Sequence, residues 1–544
     1  MDFQYQFCYM QRRIIVIGFL VIFLWFFCLN FGFVKDSYAL IRRVPHDYWT
    51  IQEAIDAADP SDTILVASGV YNECVVVDKP LSIIGEAPET TIVDGSGYNW
   101  TKTSVCLLII SSNVLVDGFT FRNSTSGVHT TYSTNITITN NILTLNYEGI
   151  MLNNTYGSIV ANNTAESNAY GILVYNSSDC MIQNNYLASN FGGDINLSYG
   201  GGIYLGGSNN NTIKGNHLTK NLEAIFVAGD NNTIIENEMK ENAVDGIGLE
   251  IGIKLYCSKG NILSNNTIIS DAVILSSSSF NIIRNNNVTG GGGIGVIWGL
   301  NNTFFGNVIS SNKAGIHIED ARDFFIGNLI MNNTEGIVIH YCNGSTFYHN
   351  ILTNNTIHAP KDVYTNINAW DNGHEGNYWS NYTGTDSDMD AIGDSPHVLY
   401  ELNTDRYPLM APINFFDVGT WDDTQQQVNI ISNSSITNFQ LNSTKNQISF
   451  NVTGETPTIG FCRITIPNAI TQDLWNNNYT VLIDTTEPIF QRNWTDATNT
   501  HIYIIYQHSE HEIIIIPEFS SHTLLPLLTL STLTAIFLKK RLRD

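Results

Sequence analysis

The sequence predicts an all-β chain: a right-handed parallel β-helix solenoid, then a small β-sandwich domain, then a C-terminal transmembrane helix. Three observations predict it. Ten asparagines (Asn141, Asn163, Asn185, Asn216, Asn237, Asn266, Asn286, Asn307, Asn328 and Asn350) recur at spacings of 22, 22, 31, 21, 29, 20, 21, 21 and 22 residues. Each has an apolar residue three places before it and another two places after it, as in Ile182-x-x-Asn185-x-Leu187. Helical periodicity is absent from these units, and a fixed period near this length marks one supersecondary unit copied and stacked.

Five residues beyond most of these positions stands a second asparagine, from Asn146 and Asn168 to Asn333 and Asn355, with Asp271 and Gly291 filling two gaps. A small residue then precedes an apolar one, as in Gly171-Ile172 and Gly315-Ile316. Each unit therefore reads as three short alternating strands separated by tight corners, where Asn and Gly tolerate left-handed backbone angles. Inward Ile, Val, Leu and Phe stack on their copies in the next coil. Inward Asn side chains are expected to bond the backbone of their own and adjacent coils, satisfying polar groups that burial would otherwise leave unpaired. Coils about 4.8 Å apart make the ten-fold repeat a rod of about 50 Å. The spacings of 31 and 29 mark insertions, one of them Gly-rich at 191–202. A disordered Asn-rich tract would lack the apolar residues that stay in register throughout.

Ahead of the repeat, Ile51, Ala54, Ile55 and Ala58 follow helical spacing. A short amphipathic helix there would plug the open end of the solenoid, which needs a cap. At the extreme N-terminus Arg12-Arg13, an apolar run at 14–34 and Ser37-Tyr38-Ala39 read as a secretory signal. At the other end an apolar segment at 519–538 precedes Lys539-Lys540-Arg541-Leu542-Arg543, the pattern of a stop-transfer anchor. The expected domains are a signal peptide at 1–39, the solenoid with its helical cap at 40–415, the sandwich at 416–516 and the anchor with its basic tail at 517–544. The chain would then be secreted and held at the cell surface, and sequons such as Asn99-Trp100-Thr101 and Asn381-Tyr382-Thr383 agree with that address.

Charged residues are 14% of the chain and the net charge is -25, which excludes nucleic acid as a partner because phosphates require clusters of Lys and Arg. No CxxC occurs, so no zinc site is expected. Cys74 and Cys106 are either a pair across adjacent coils or buried free thiols.

The solenoid-opening segments Thr50-Ile51-Gln52-Glu53-Ala54-Ile55 and Lys79-Pro80-Leu81-Ser82-Ile83-Ile84-Gly85, the Asn-bearing coils, and the closing motifs Gly376-Asn377-Tyr378-Trp379-Ser380-Asn381-Tyr382 and Asp405-Arg406-Tyr407-Pro408-Leu409 resemble the NosD-like right-handed parallel β-helix family of the pectin-lyase-like superfamily. The resemblance covers about 44–412. It implies either a periplasmic accessory protein for a copper enzyme or an archaeal cell-surface protein that handles carbohydrate, and the anchor and sequons point to the second. Pro517-Glu518-Phe519 resembles a sorting signal of such surface proteins.

Two constellations carry chemistry. Asp386, Asp388, Asp390 and Asp394 place carboxylates at alternate positions on a tight loop, an oxygen set suited to Ca²⁺; the alternative is a solvated acidic turn. Trp298, Glu319 and His340 are spaced by 21 and 21, so stacking should bring them to within about one residue of a common column, with His317, Asp320 and Tyr341 beside them. A ring as platform with acids and imidazoles as hydrogen-bond partners is the equipment of a sugar-binding groove, and Trp298, Glu319, His340 and Tyr341 are the expected ligand-binding residues. The alternative is an ordinary outward polar row. The only acid/base cluster is Glu319, Asp320 and His317, with Arg322 nearby. Copper delivery would need His, Met or Cys clusters, and no tract of them exists. The expectation is a membrane-anchored, non-catalytic surface protein that binds glycans or other cell-envelope polymers. The alternatives are a polysaccharide lyase or glycoside hydrolase, and the copper-accessory role.

Overall fold

The computed structural model describes residues 39–97, 104–191, 200–242, 250–360, 367–400, 402–421 and 423–518. The described residues between 41 and 379 form a right-handed parallel β-helix of about 13 turns. Three parallel sheets of 14, 12 and 14 strands run along it, and every coil contributes one strand to each sheet it reaches. The strands are three to six residues long in the coils bearing the Asn repeat, with register partners one coil apart, as in Ile182↔Ile213 and Leu187↔Leu218.

The asparagines do what burial demands of them. The backbone N–H of Asn163 donates to Asn185 Oδ1 at 2.9 Å, while its side-chain amide donates to Ile138 O at 2.9 Å and Ala161 O at 3.0 Å. The same pattern links Asn185 to Asn216, Asn216 to Asn237 and on through Asn350 to Asn377. The left-handed angle belongs to the residue just before each ladder Asn: Asn140, Asn162, Asn184, Gly215 and Asn285 all have φ between 53° and 62°. The Asn-Asn and Gly-Asn dipeptides thus divide the labour. The first residue turns the chain and the second satisfies the buried backbone.

A second ladder runs from Asn146 through Asn355, with Asp271 and Gly291 standing where expected. A third passes through Asn211, Asn232, Asn261, Asn281, Asn302, Asp323 and Ser345 to Asn368. Between the ladders the core is aliphatic, until Phe304, Phe325, Phe347 and Trp370 stack in one column with centroids 4.5–4.9 Å apart.

The opening cap is a helix at Ile51–Asp56, capped by the Thr50 side chain and burying Ile51, Ala54 and Ile55. At the far end Asp405 ends the main ladder, accepting from Asn377 N at 2.7 Å and from Trp379 Nε1 at 2.8 Å. A β-rich C-terminal region follows. Antiparallel sheets of five and four strands enclose one core that includes Val428, Phe450, Ile464, Ile504 and Ile515. Its first strand, Ile413–Trp421, begins three residues before the expected boundary.

This region is seated on the last coils. Phe415 packs on Phe305 and His349, and the buried Arg463 pairs with Glu375 and donates to Asp390 O at 3.1 Å. Burial opposes ionisation of Glu375, but Arg463 and His349 hold its carboxyl well below the usual carboxylate range.

The expected signal segment (apart from Ala39) and the apolar anchor segment lie outside the described residues. Among the described residues no helix is long and apolar enough to cross a membrane. Cys74 and Cys106 are both free thiols, so the pairing across coils does not form; Cys106 is buried and burial pushes its thiol up to about 11.

Candidate functional site

Alternation sets the outer face of the twelve-stranded sheet. Along each of its strands, inward residues such as Ile316 and Ile318 are fully buried, while His317 and Glu319 point out. Register then stacks the outward residues coil by coil. Glu319 pairs with Ile297 on one side and with His340 on the other. The His317 and His340 rings meet edge to face at 5.2 Å, and burial together with His340 lowers the His317 pKa. Trp298 lies one residue past Ile297, at the corner, and shares a left-handed conformation with Asp320 and Tyr341 at the equivalent corners of the next coils. The Trp298, Glu319 and His340 column is thus two adjacent columns: Glu319 with His340 on the strands, and Trp298 with Asp320 and Tyr341 along the rim. The coil from Ile297 to Glu319 is 22 residues rather than 21, which shifts Trp298 by one place. Its indole is 61% exposed and its backbone N–H donates to Glu319 O at 3.0 Å. A bulky residue at positive φ is held there by its surroundings.

The same face carries a row that sequence reasoning missed. Tyr147, Tyr170, Tyr204, Phe226 and Tyr256 follow one another on consecutive coils. Their centroids are 5.8, 5.6, 4.5 and 6.2 Å apart. Tyr204 and Phe226 are stacked, interplanar angle 9°, so they cover each other's faces and present edges outward. Tyr170 is turned 76° to Tyr204. Lys254 lies over Phe226 and pairs with Glu223 at 3.0 Å. Glu148 accepts from Ser126 Oγ, and burial raises the Glu148 pKa against that hydrogen bond. Burial, with Tyr147, Tyr204 and both carboxylates around it, pushes the Tyr170 hydroxyl up to about 12. The signal was present in the sequence, but the insertions stretch Tyr170 to Tyr204 to 34 residues and hide the period.

The acidic loop is only partly as expected. Ligand oxygens of Asp386, Asp388 and Asp390 lie within 4.8 Å of one another, the only such group of three or more His, Cys, Asp or Glu among the described residues. Asp386 also accepts from Asp390 N and Ala391 N, and burial raises the pKa of both Asp386 and Asp390. Asp394 is not one of the three. Its Oδ2 accepts from Ser387 N, Ser387 Oγ and Thr385 Oγ1, closing the neck of the loop. Arg492 of the C-terminal region approaches Asp388 at 3.7 Å.

The family model for the periplasmic copper-binding protein NosD matches residues 62–251 and 246–384, more than half of the chain. The chain belongs to the NosD family. That description prompts a test of the donor set against copper, which favours imidazole, thiolate and thioether. Among the described residues the one converging group of three or more His, Cys, Asp or Glu is three carboxylates, a hard-oxygen set. His349 is bonded to Glu375, and His358 to Ser380 and Asn355. Cys180, Cys342 and Cys462 are buried in the cores, while Cys106 has Cys74 beside it, just before the neighbouring strand, and His317 meets His340, so among the described residues soft donors come together in pairs at most. Among the described residues of this NosD-family chain no three imidazole or thiolate donors converge, which is a poor fit to a copper site.

No curated protein matches the sequence. Among solved structures the chain is similar to the A-module of the Azotobacter vinelandii mannuronan C-5 epimerase (15% identity, TM-score 0.39, 59% of this chain and 94% of that one). It is also similar to a PL6 family alginate lyase (17%, 0.41, 61% and 53%) and to PfbA, a surface adhesin of Streptococcus pneumoniae (14%, 0.41, 57% and 92%). Likeness at this level concerns the fold alone.

Proposed function

We propose that this protein binds polysaccharide along the outer face of its twelve-stranded sheet, without cleaving it, as an outward-facing surface protein. The observation that carries the reading is the outward aromatic row from Tyr147 through Phe226 to Tyr256, with the exposed Trp298 beside Glu319 and His340 two coils further along the same face. Exposed rings flanked by hydroxyls and carboxylates suit the alternating apolar and polar faces of sugars.

Cleavage is less well supported. Glycoside hydrolysis needs opposed carboxyl groups about 5–9.5 Å apart. Glu148 and Glu223 lie three coils apart, about 14 Å at the strand spacing. Glu319 and Asp320 are chain neighbours rather than an opposed pair. A lyase must neutralise a uronate carboxylate, and Lys254 is already paired with Glu223. The test is a glycan array with the full-length chain, followed by assay of reducing-end and unsaturated products. Binding that is lost in Trp298→Ala, with no product released, supports the proposal. Product release abolished by Glu319→Gln would replace it with the enzymatic reading.

We also propose Ca²⁺ as the ion for Asp386, Asp388 and Asp390, because the convergence of three carboxylates is relieved by a divalent cation.

A further inference from the structure

We infer that the glycan taken by the outer face is uncharged, an inference that rests on the polysaccharide-binding reading. Lys254 is the only Lys or Arg on the twelve strands of this sheet, with Lys313 just before one, whereas Glu148, Glu319 and Glu335 stand on them and Glu223 and Glu250 just before two others. Lys254 is not available to a ligand carboxylate, because its ammonium is held at 3.0 Å by Glu223 and lies over the Phe226 ring. A polyuronate would bring one carboxylate per sugar onto a face whose fixed charge is already negative, in a chain of net charge -25.

A polycation is disfavoured for a different reason. Beside the aromatic row the carboxylates that would attract it are few: Glu223 is neutralised by Lys254, Glu148 is held by Ser126, and Glu319 and Glu335 stand on the last two strands, away from the rings of Tyr147 to Tyr256. What the strip leaves open is hydroxyl and ring, on Tyr170, Tyr204 and Tyr256 and on Trp298. Those groups recognise sugar hydroxyls and C–H faces without requiring charge. The rows advance by about 4.8 Å per coil, a step close to the length of one pyranose unit in an extended chain. The ligand is therefore expected to lie along the solenoid axis, with affinity rising as oligomers lengthen.

The experiment is calorimetric titration of the full-length chain with oligosaccharides of matched length. The panel contains cellulose-, xylan- and N-acetylglucosamine-type glycans, a polygalacturonate oligomer and a chitosan oligomer, each at low and high salt. The expected result is an uncharged glycan bound at least ~10-fold tighter than polygalacturonate and chitosan, with little change on adding salt. Glu223→Gln, which frees Lys254, is expected to raise polygalacturonate affinity. Tightest binding by either charged oligomer, or affinity that falls steeply with salt, overturns the inference and leaves polysaccharide binding standing. Binding of no glycan in the panel overturns the polysaccharide reading itself.

Discussion

The backbone N–H of Trp298 donates to the carbonyl of Glu319 at 3.0 Å, which fixes an exposed indole at the rim of the strand that carries Glu319. Because this bond is made by the backbone, it survives loss of the side chain. Trp298→Ala is expected to weaken glycan binding by ~10-fold or more, the effect of removing a central aromatic anchor, while the thermal midpoint shifts little. Titration and a melting curve on the same preparation check both halves. A large fall in midpoint would mean that the ring is structural.

Within the main ladder, Asn286 Oδ1 accepts both the backbone N–H and the side-chain amide of Asn266. Asn286→Leu leaves those donors buried and unpaired. It is expected to destabilise the solenoid by about 3 kcal/mol or more, given roughly 1–3 kcal/mol for each orphaned buried group. A urea titration measures it.

Asp323 occupies a place in the third ladder where its neighbours have Asn, and its Oδ2 is buried without a hydrogen-bond partner. Burial raises its pKa from 3.8 to about 6, against the hydrogen bonds from Asn302. The folded state then holds a proton that the unfolded state has released, so stability falls as pH rises from about 4 to about 6 and stays low above that window. Asp323→Asn removes the ionisation and supplies an amide donor. The expected gain is about 2–3 kcal/mol at pH 8 and little at pH 4. Equal gains at both pH values would show that ionisation is not the cause.

Arg463 and Glu375 join the C-terminal region to the solenoid, and both are well buried. Arg463→Met leaves Glu375 short of its cation. Breaking a buried pair from one side costs about 3–5 kcal/mol. The expected result in scanning calorimetry is an early transition for the C-terminal region, separated from that of the solenoid.

If Ca²⁺ occupies the acidic loop, chelation lowers the melting temperature of the native chain and leaves Asp388→Ala unaffected. The same response to chelator in both proteins would remove the loop as the site.

The fold was legible because its cause repeats. Buried backbone groups recur in every coil, so the residue that satisfies them recurs as well, and the two ladders through Asn141 and Asn146 were readable from spacing. The third was equally present at Asn211, Asn232, Asn261, Asn281 and Asn302, five residues upstream of the main ladder, but serine, cysteine and aspartate take its place elsewhere. The site was less legible because outward residues obey register and not period. A coil one residue longer moved Trp298 out of line with Glu319, and two insertions separated Tyr170, Tyr204, Phe226 and Tyr256 in sequence while leaving them adjacent in space. Alternate spacing says nothing about where a loop closes, and so did not show that Asp394 bonds Thr385 and Ser387.

The Asn377–Asp405 bond that terminates the main ladder has a directional consequence. Coils touch only their neighbours, so the solenoid behaves as a one-dimensional array that opens from its ends. One end is sealed by Asp405, two buried tryptophans and the docked C-terminal region. The coils before Asn141 come ahead of the main ladder and rest on sheet pairing, apolar packing and the Arg42–Asp62 and Arg122–Asp94 ion pairs under a six-residue helix. The molecule should therefore unzip from its N-terminal side, and amide exchange should show protection rising coil by coil toward the tryptophans.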